Sequence, residues 1–249
     1  MQTKVDLHVH SCYSKDSFIT PQELVFYAKK NGMDGIAITD HDRLDSAIKI
    51  ARESEFPIIP GMEITSSDGH IVALRISEPI PKGLSADETV DRIQAAGGLA
   101  VACHPIAFFK ESVGRHVSSK FNAVEVINAS AFPFGLSVRT ARRLALNLGL
   151  AQVAGTDAHY GPQIGYAYTL LDSELNVDSM IEAIINGQCM AMGKAIPWWL
   201  RLKKEFLALR KNTGLENKQT QKDGARSLQA GKGLAPSRGV SLVLNEVQG

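Results

Sequence analysis

"VDLHVHSCYSKDS", Val5 to Ser17, sets two histidines one residue apart in an apolar run almost at the start of the chain. If Val5–His10 is a strand, its side chains alternate. Asp6, His8 and His10 then share one face, and Val5, Leu7 and Val9 the other. The polar face is either the wet side of an edge strand or a pair of imidazoles converging on one metal ion. The rest of the chain decides between these.

Apolar runs that read as strands recur at Gly35–Thr39, Ile58–Ile64, Ile71–Ile76, Leu99–His104, Ala123–Ile127 and Ala151–Thr156. Amphipathic segments lie between several of them. Thr20-Pro21-x-Glu23 and Ser85-Ala86-Asp87-Glu88 carry the N-cap and the glutamate of capping boxes, and Arg139–Asn147 and Val177–Asn186 read as further helices. Strands alternating with helices predict a largely parallel sheet covered on its outside, and seven strands suffice to close a barrel.

Six of the seven histidines fall at or beside a predicted strand end: His8, His10, His41, His70, His104 and His159. They sit in "GIAITDHD", "GLAVACHP" and "AQVAGTDAH", with Glu63 in "IIPGMEIT". The C-terminal strand ends of a parallel barrel converge on one rim, where catalytic groups collect. Imidazole with carboxylate is a donor set that suits zinc, manganese and iron. The gathering therefore favours a metal site over a set of unrelated polar positions.

Bulk properties narrow the class. The chain has 249 residues, 44% hydrophobic, with a net charge of +1, which fits one α/β domain and gives no global sign of a nucleic-acid partner. Cys12, Cys103 and Cys189 are an odd number without C-x-x-C spacing, so a reducing cytoplasm is the expected setting. The first residues lack a signal-peptide profile, and no apolar run approaches the roughly 20 residues that span a bilayer. The barrel is expected over 1–195. A basic amphipathic helix follows at 196–211, with Trp198, Leu202, Phe206 and Leu209 as the stripe that packs on the barrel. Residues 212–249, rich in Lys, Gln, Gly and Ser, read as a disordered tail.

The motifs D-x-H-x-H…S-x-D (Asp6–Asp16), T-D-H (Thr39–His41), G-x-E-I (Gly61–Ile64), H-I-V (His70–Val72), A-x-H-P (Ala102–Pro105), E-V-x-N (Glu125–Asn128) and G-x-D-A-H (Gly155–His159) occur in this order. The chain thereby resembles the PHP (polymerase and histidinol phosphatase) superfamily of metallohydrolases. The resemblance implies a distorted (β/α)7 barrel with two or three divalent ions (Zn, Mn or Fe) in its mouth. It implies His8, His10, Glu63 and Asp157 around a first ion. Glu63, His70 and His104 surround a second, and Asp16, His41 and His159 a third, with Asp16 where some members have histidine. The implied activity is hydrolysis of a phosphomonoester, a nucleotide or other small phosphorylated metabolite, by a metal-activated water, with Glu63, Asp157 and His159 at the reacting centre.

Arg115, with His116, lies in the loop after His104 and is the candidate for binding phosphate. Arg139, Arg142 and Arg143 are weaker candidates. Asp6 and Asp40 are expected to orient imidazoles. Relatives that cleave mononucleotides often carry a helical insertion between the strands of His70 and His104. Here only Ser77–Leu99 intervenes, so an open mouth and a larger substrate, an RNA or DNA end handled by a nuclease or processing subunit, form the alternative. Basic and aromatic residues from Trp198 to Lys211 would suit that alternative.

Overall fold

The computed structural model describes residues 1–212, of which Met1–Lys204 form one compact unit. Residues 213–249, which hold nearly all of the expected tail, lie outside the described residues. In chain order the elements are β1 (Gln2–Val9), α1 (Pro21–Lys30), β2 (Gly35–Ile38), α2 (Asp45–Glu53), β3 (Ile58–Ser66), β4 (Gly69–Leu74), α3 (Ala86–Ala95) and β5 (Leu99–Ala102). They continue with β6 (Ala123–Asn128), α4 (Phe134–Leu148), β7 (Ala151–Gly155), β8 (Ala167–Asp172), α5 (Val177–Ile185), β9 (Cys189–Gly193) and α6 (Trp198–Asn212). Both expected capping boxes form, at Thr20 with Glu23 and at Ser85 with Glu88.

The strands make one sheet in the order β7-β6-β5-β4-β3-β2-β1-β8-β9. It curls nearly into a barrel. His10 N–H donates to Ala158 O (3.0 Å) and Asp157 N–H to His8 O (2.7 Å), which brings β7's exit back onto β1. Thr169 Oγ1 accepts from Ala154 N–H at 2.8 Å and ties β7 to β8. The β1–β2, β2–β3, β5–β6 and β6–β7 junctions are parallel, whereas β3–β4, β4–β5, β1–β8 and β8–β9 are antiparallel. The sheet is thus mixed rather than largely parallel. Reversal of β4 has a direct use, because it puts His70 at the rim where β3 delivers Glu63. Only α3 occupies the connection between β4 and β5.

Two apolar layers follow from the alternation of the strands. Val5, Leu7, Ala37, Ile59, Leu74, Val101, Ala123, Val153 and Leu171 meet inside the barrel, and Met180, Ile181 and Ile184 of α5 join them. The opposite strand faces pack under the other helices, through residues such as Ile36, Ile38, Ile64, Ile71 and Val124. Each fully buried aliphatic side chain contributes about 1.5–3 kcal/mol relative to exposure. The barrel is therefore filled below, and its buried histidines gather at one rim.

The simple alternation expected for β1 fails at one point. Asp6 pairs with Ile36 and Val9 with Ile38, so Leu7 and His8 together face the single residue Ala37. This β-bulge lets Val5, Leu7, His8 and His10 all point inward while Asp6 and Val9 point outward. Asp6 consequently orients no imidazole. It is buried and accepts hydrogen bonds from the backbone N–H groups of Thr156 (2.8 Å), Gly165 (2.9 Å) and His8 (3.3 Å).

The strands β8 and β9 and the helix α2 go unrecognised in the sequence pattern. The β9 segment, CMAMG, is short and follows a helix directly, and α2 has no side-chain N-cap bond. The expected stripe on α6 is also corrected. Trp198 and Leu202 are exposed, while Leu200 is buried beside Ile196. The helix start is held by Arg201, whose guanidinium donates to the carbonyls of Ser130 (3.0 Å) and Ala129 (2.9 Å). No helix among the described residues is long and apolar enough to cross a membrane.

Asp6 gives a test of this closure. Burial raises its carboxyl from 3.8 to about 6 against the lowering effect of its hydrogen bonds to Thr156, Gly165 and His8. An acid raised in the fold favours folding fully below its unfolded pKa and loses that contribution as pH rises through its folded value. Asp6→Asn places an NH2 group against a backbone N–H and should cost about 1–3 kcal/mol. It should also flatten the pH dependence of stability between about 4 and 6. Thermal denaturation of both proteins across that range checks both expectations.

Candidate metal centre

The inward residues at the rim come together around Glu63, which is 1% exposed. Its two oxygens face different histidines. Oε2 lies 3.4 Å from His8 Nε2, 3.1 Å from His10 Nε2 and 3.2 Å from His41 Nδ1. Oε1 lies 3.0 Å from His70 Nδ1 and 2.9 Å from His104 Nε2. Asp157 Oδ1 stands 3.5 Å from His10 Nε2 and 3.8 Å from His8 Nε2. Asp16 Oδ2 completes a third group, 2.8 Å from His159 Nε2 and 3.6 Å from His41 Nε2. All nine positions expected from the sequence as ligands are thus neighbours in space.

The donors fit divalent ions. Four buried imidazole nitrogens, Nε2 of His8, His10 and His159 and Nδ1 of His104, have no hydrogen-bond partner. For the first three, carboxylate oxygens lie within 3.4 Å. Two atoms bound to one ion at about 2.1 Å each are themselves about 3–3.4 Å apart, which matches this spacing. The other ring nitrogens are occupied. His8 Nδ1 meets Glu125 Oε1 (3.1 Å), His10 Nδ1 meets Ser14 Oγ (3.2 Å) and His159 Nδ1 meets the Asp157 carbonyl (3.0 Å). Fixing one nitrogen in this way turns the other toward an ion.

Asp40 acts on His10 at one remove. It accepts from Ser11 N–H, from the hydroxyls of Ser11 and Ser46, and from Ser14 Oγ at 3.2 Å. Glu125 is the more direct partner, and its motif E-V-x-N was the only sequence signal for it. Besides His8 it accepts from His104 N–H (2.7 Å) and Asn128 Nδ2 (2.9 Å). A second bulge explains the spacing of that motif. Glu125 pairs with Val153 and Ile127 with Ala154, so Val126 is the extra residue. Glu125 and Asn128, three apart, therefore both face inward.

Electrostatics reflect the crowding. Burial alone would raise the carboxyls of Glu63 and Asp157, but neighbouring imidazoles, and Lys110 beside Asp157, hold both well below the carboxylate range. Burial would likewise lower His8 and His10. The carboxylates outweigh it and raise both, His10 to about 9. In His104 and His159 burial prevails, and both are lowered. Backbone strain gathers at the same rim, with φ of +30° at His104 and +58° at Asp157. Non-glycine residues held in that region are commonest where the surroundings impose them, as at functional sites.

Several other residues stand elsewhere or were not foreseen. Arg115 lies exposed in a short turn, Gly114–His116, with its Nε 3.3 Å from His116 Nε2, while His116 Nδ1 is 3.7 Å from Asp68. No contact found among the described residues joins Arg115 or His116 to the cluster. Arg142 lines a depression of about 610 Å³ with Asn122, Gln152 and Gly187, at the end of the barrel opposite the histidines. Lys110, which no sequence signal marked, reaches in and pairs with Asp157 Oδ2. Glu111 reaches His70 Nε2 at 3.1 Å.

The family model of the PHP domain matches residues 6–111, and that of the PHP-associated domain matches residues 135–189. The chain is 36% identical over 140 residues to MJ1587, an uncharacterized protein of Methanocaldococcus jannaschii, covering 51% of this chain and 82% of that one. A 5'-3' exoribonuclease of Haemophilus influenzae is 38% identical over 89 residues, 33% of this chain and 32% of that protein. Among solved structures, a two-domain protein from Bacteroides vulgatus containing a predicted PHP-like metal-dependent phosphoesterase superposes with a TM-score of 0.65. Its identity is 19%, over 78% of this chain and 65% of that one. PsfC from Pseudomonas syringae superposes with a TM-score of 0.63 at 18% identity, over 83% and 97% of the two chains. The chain belongs to the PHP family, and its fold is that of the PHP-like metal-dependent phosphoesterases.

Gly155 tests how closely this site is built. An added Cβ would collide with that of His8 and lie 2.7 Å from Glu125 Oε1. Gly155→Ala should therefore lower the melting temperature and reduce bound metal together. Elemental analysis of the purified variant, alongside its thermal scan, checks this.

Proposed function

We propose that the chain is a metal-dependent hydrolase of phosphomonoesters, acting on a small phosphorylated substrate. The observation that carries this reading is Glu63, whose two oxygens face separate histidine groups in the manner of a carboxylate shared between two ions. His8, His10, Glu63 and Asp157 would hold one ion and Glu63, His70 and His104 a second. Asp16, His41 and His159 would hold a third. When bound, such ions neutralise phosphate charge and make water a nucleophile near neutral pH.

The protein's own residues do the rest. Glu125, Ser14 and the Asp157 carbonyl fix the imidazole tautomers. The buried apolar layer beneath the rim keeps bulk water from the floor of the site and strengthens its electrostatics. Asp16, at 49% exposure, stands at the solvent edge, where a leaving group would depart.

A nuclease acting on nucleic-acid ends is the second reading. It is favoured by the identity to the Haemophilus influenzae exoribonuclease and by Phe108, Phe109 and Phe132, exposed in loops after β5 and β6, whose faces could stack bases. A phosphomonoester panel run beside 5'-phosphorylated oligonucleotides separates the two.

Glu63→Gln should lose about two ions per chain, read by elemental analysis under metal-replete conditions, because it removes the shared ligand. His8→Ala and Asp157→Asn should each abolish phosphoester hydrolysis, and the double variant should be no worse than either, since both ligands serve one unit. Retention of full activity by His8→Ala on every phosphoester tested would sink the reading.

Metal uptake should also expel protons, because in the ion-free chain the His8 and His10 imidazoles are raised. Affinity should then fall as pH drops below about 9. At pH 7 the binding heat should vary with the ionisation enthalpy of the buffer.

A further inference from the structure

The loop between β5 and the Gly114–His116 turn inverts the usual partition of side chains. Phe109 is 95% exposed, whereas the side chain of its neighbour Lys110 is only 21% exposed. Lysines are rarely buried without a partner, and a loop gains nothing in stability by presenting a phenylalanine to water. The backbone accounts for the inversion. Phe109 has φ of +63°, a conformation that is a genuine outlier for a bulky residue and that swings the next side chain inward. It is held there from several sides. Ser112 Oγ donates to the His104 carbonyl (2.7 Å), Phe108 N–H to Phe132 O (3.0 Å) and Gly114 N–H to Pro105 O (3.1 Å). Strain kept up by so many contacts points to a use for the residue it positions.

Lys110 meets Asp157 on one side only. Its ammonium pairs with Oδ2, which also accepts from Asn128 Nδ2 at 3.2 Å, while Oδ1 faces the imidazoles of His8 and His10. The lysine therefore leaves the imidazole-facing oxygen free and stands beside it with positive charge. Arg115, the sequence candidate for this task, faces His116 instead.

We infer that Lys110 is the residue of this chain that binds the substrate's phosphate group, at the Asp157 edge of the metal centre. This assignment rests on the proposed phosphoesterase function. An ammonium on a flexible stem suits a phosphate as a point charge, and charge-assisted hydrogen bonds are the strong ones.

The test uses the full chain loaded with Mn²⁺, titrated calorimetrically with inorganic phosphate, with metal content measured in parallel. Lys110→Met should weaken phosphate binding about tenfold or more, equivalent to about 1.4 kcal/mol, with unchanged metal content. Lys110→Arg should keep most of the affinity. A role confined to neutralising Asp157 gives the reverse pattern, with altered metal content and an unchanged phosphate constant, and overturns the assignment. If Lys110→Met does not fold, Lys110→Gln takes its place, and wild-type phosphate affinity in that variant overturns it equally. Failure of the loaded wild-type protein to bind phosphate at all removes the phosphoesterase reading, and the assignment with it.

Discussion

A buried carboxylate surrounded by imidazoles governs this molecule. Glu63 points inward from β3 with almost no exposure, and its charge is too costly to bury unless polar partners surround it. Four strands and their loops supply them: His8 and His10 from β1, His41 after β2, His70 from β4 and His104 after β5. Each of these must point inward at the same height of the barrel. The demand explains features that otherwise look like irregularities, among them the reversed β4, the two bulged strands and the left-handed residues at the rim.

Much of this could be read from the chain itself, and what could not has physical causes. Histidines at strand ends beside acids are conspicuous, because apolar runs mark strands and the polar breaks mark their exits. Alternation then assigns faces, and for His8 and His10 it agrees with the structure. It fails across the bulge, where Val5 and Leu7 point inward with the imidazoles and Asp6 faces the backbone of Thr156 and Gly165. A bulge inserts a residue without any compositional mark, so nothing in "VDLHVH" announces it. The same holds for Glu125 and Asn128, whose three-residue separation makes no sense for a regular strand.

Lys110 shows a different limit. A lysine after two phenylalanines in a loop looks like an ordinary solvated charge, and only the left-handed backbone of Phe109 turns it inward. Arg115 has the better chemistry for phosphate by residue type and the worse location. Residue type ranks candidates, but loop conformation decides which of them reaches the rim. Ser112 and Glu111, which tie that loop to His104 and His70, carry no signature either.

The bulge in β1 also makes the strand sensitive to phase. Because Leu7 and His8 together oppose Ala37, the strand carries one residue more than its neighbour over that stretch. Deleting a single residue there would leave the composition and hydrophobicity of β1 almost unaltered, yet it would rotate everything on one side of the deletion to the opposite face of the sheet. Either the imidazoles would turn under the helices or Leu7 and Val5 would leave the inner core. Lineages descending from this chain should accordingly vary β1 by substitution and hardly ever in length, whereas the loops behind the rim are free to grow and shrink.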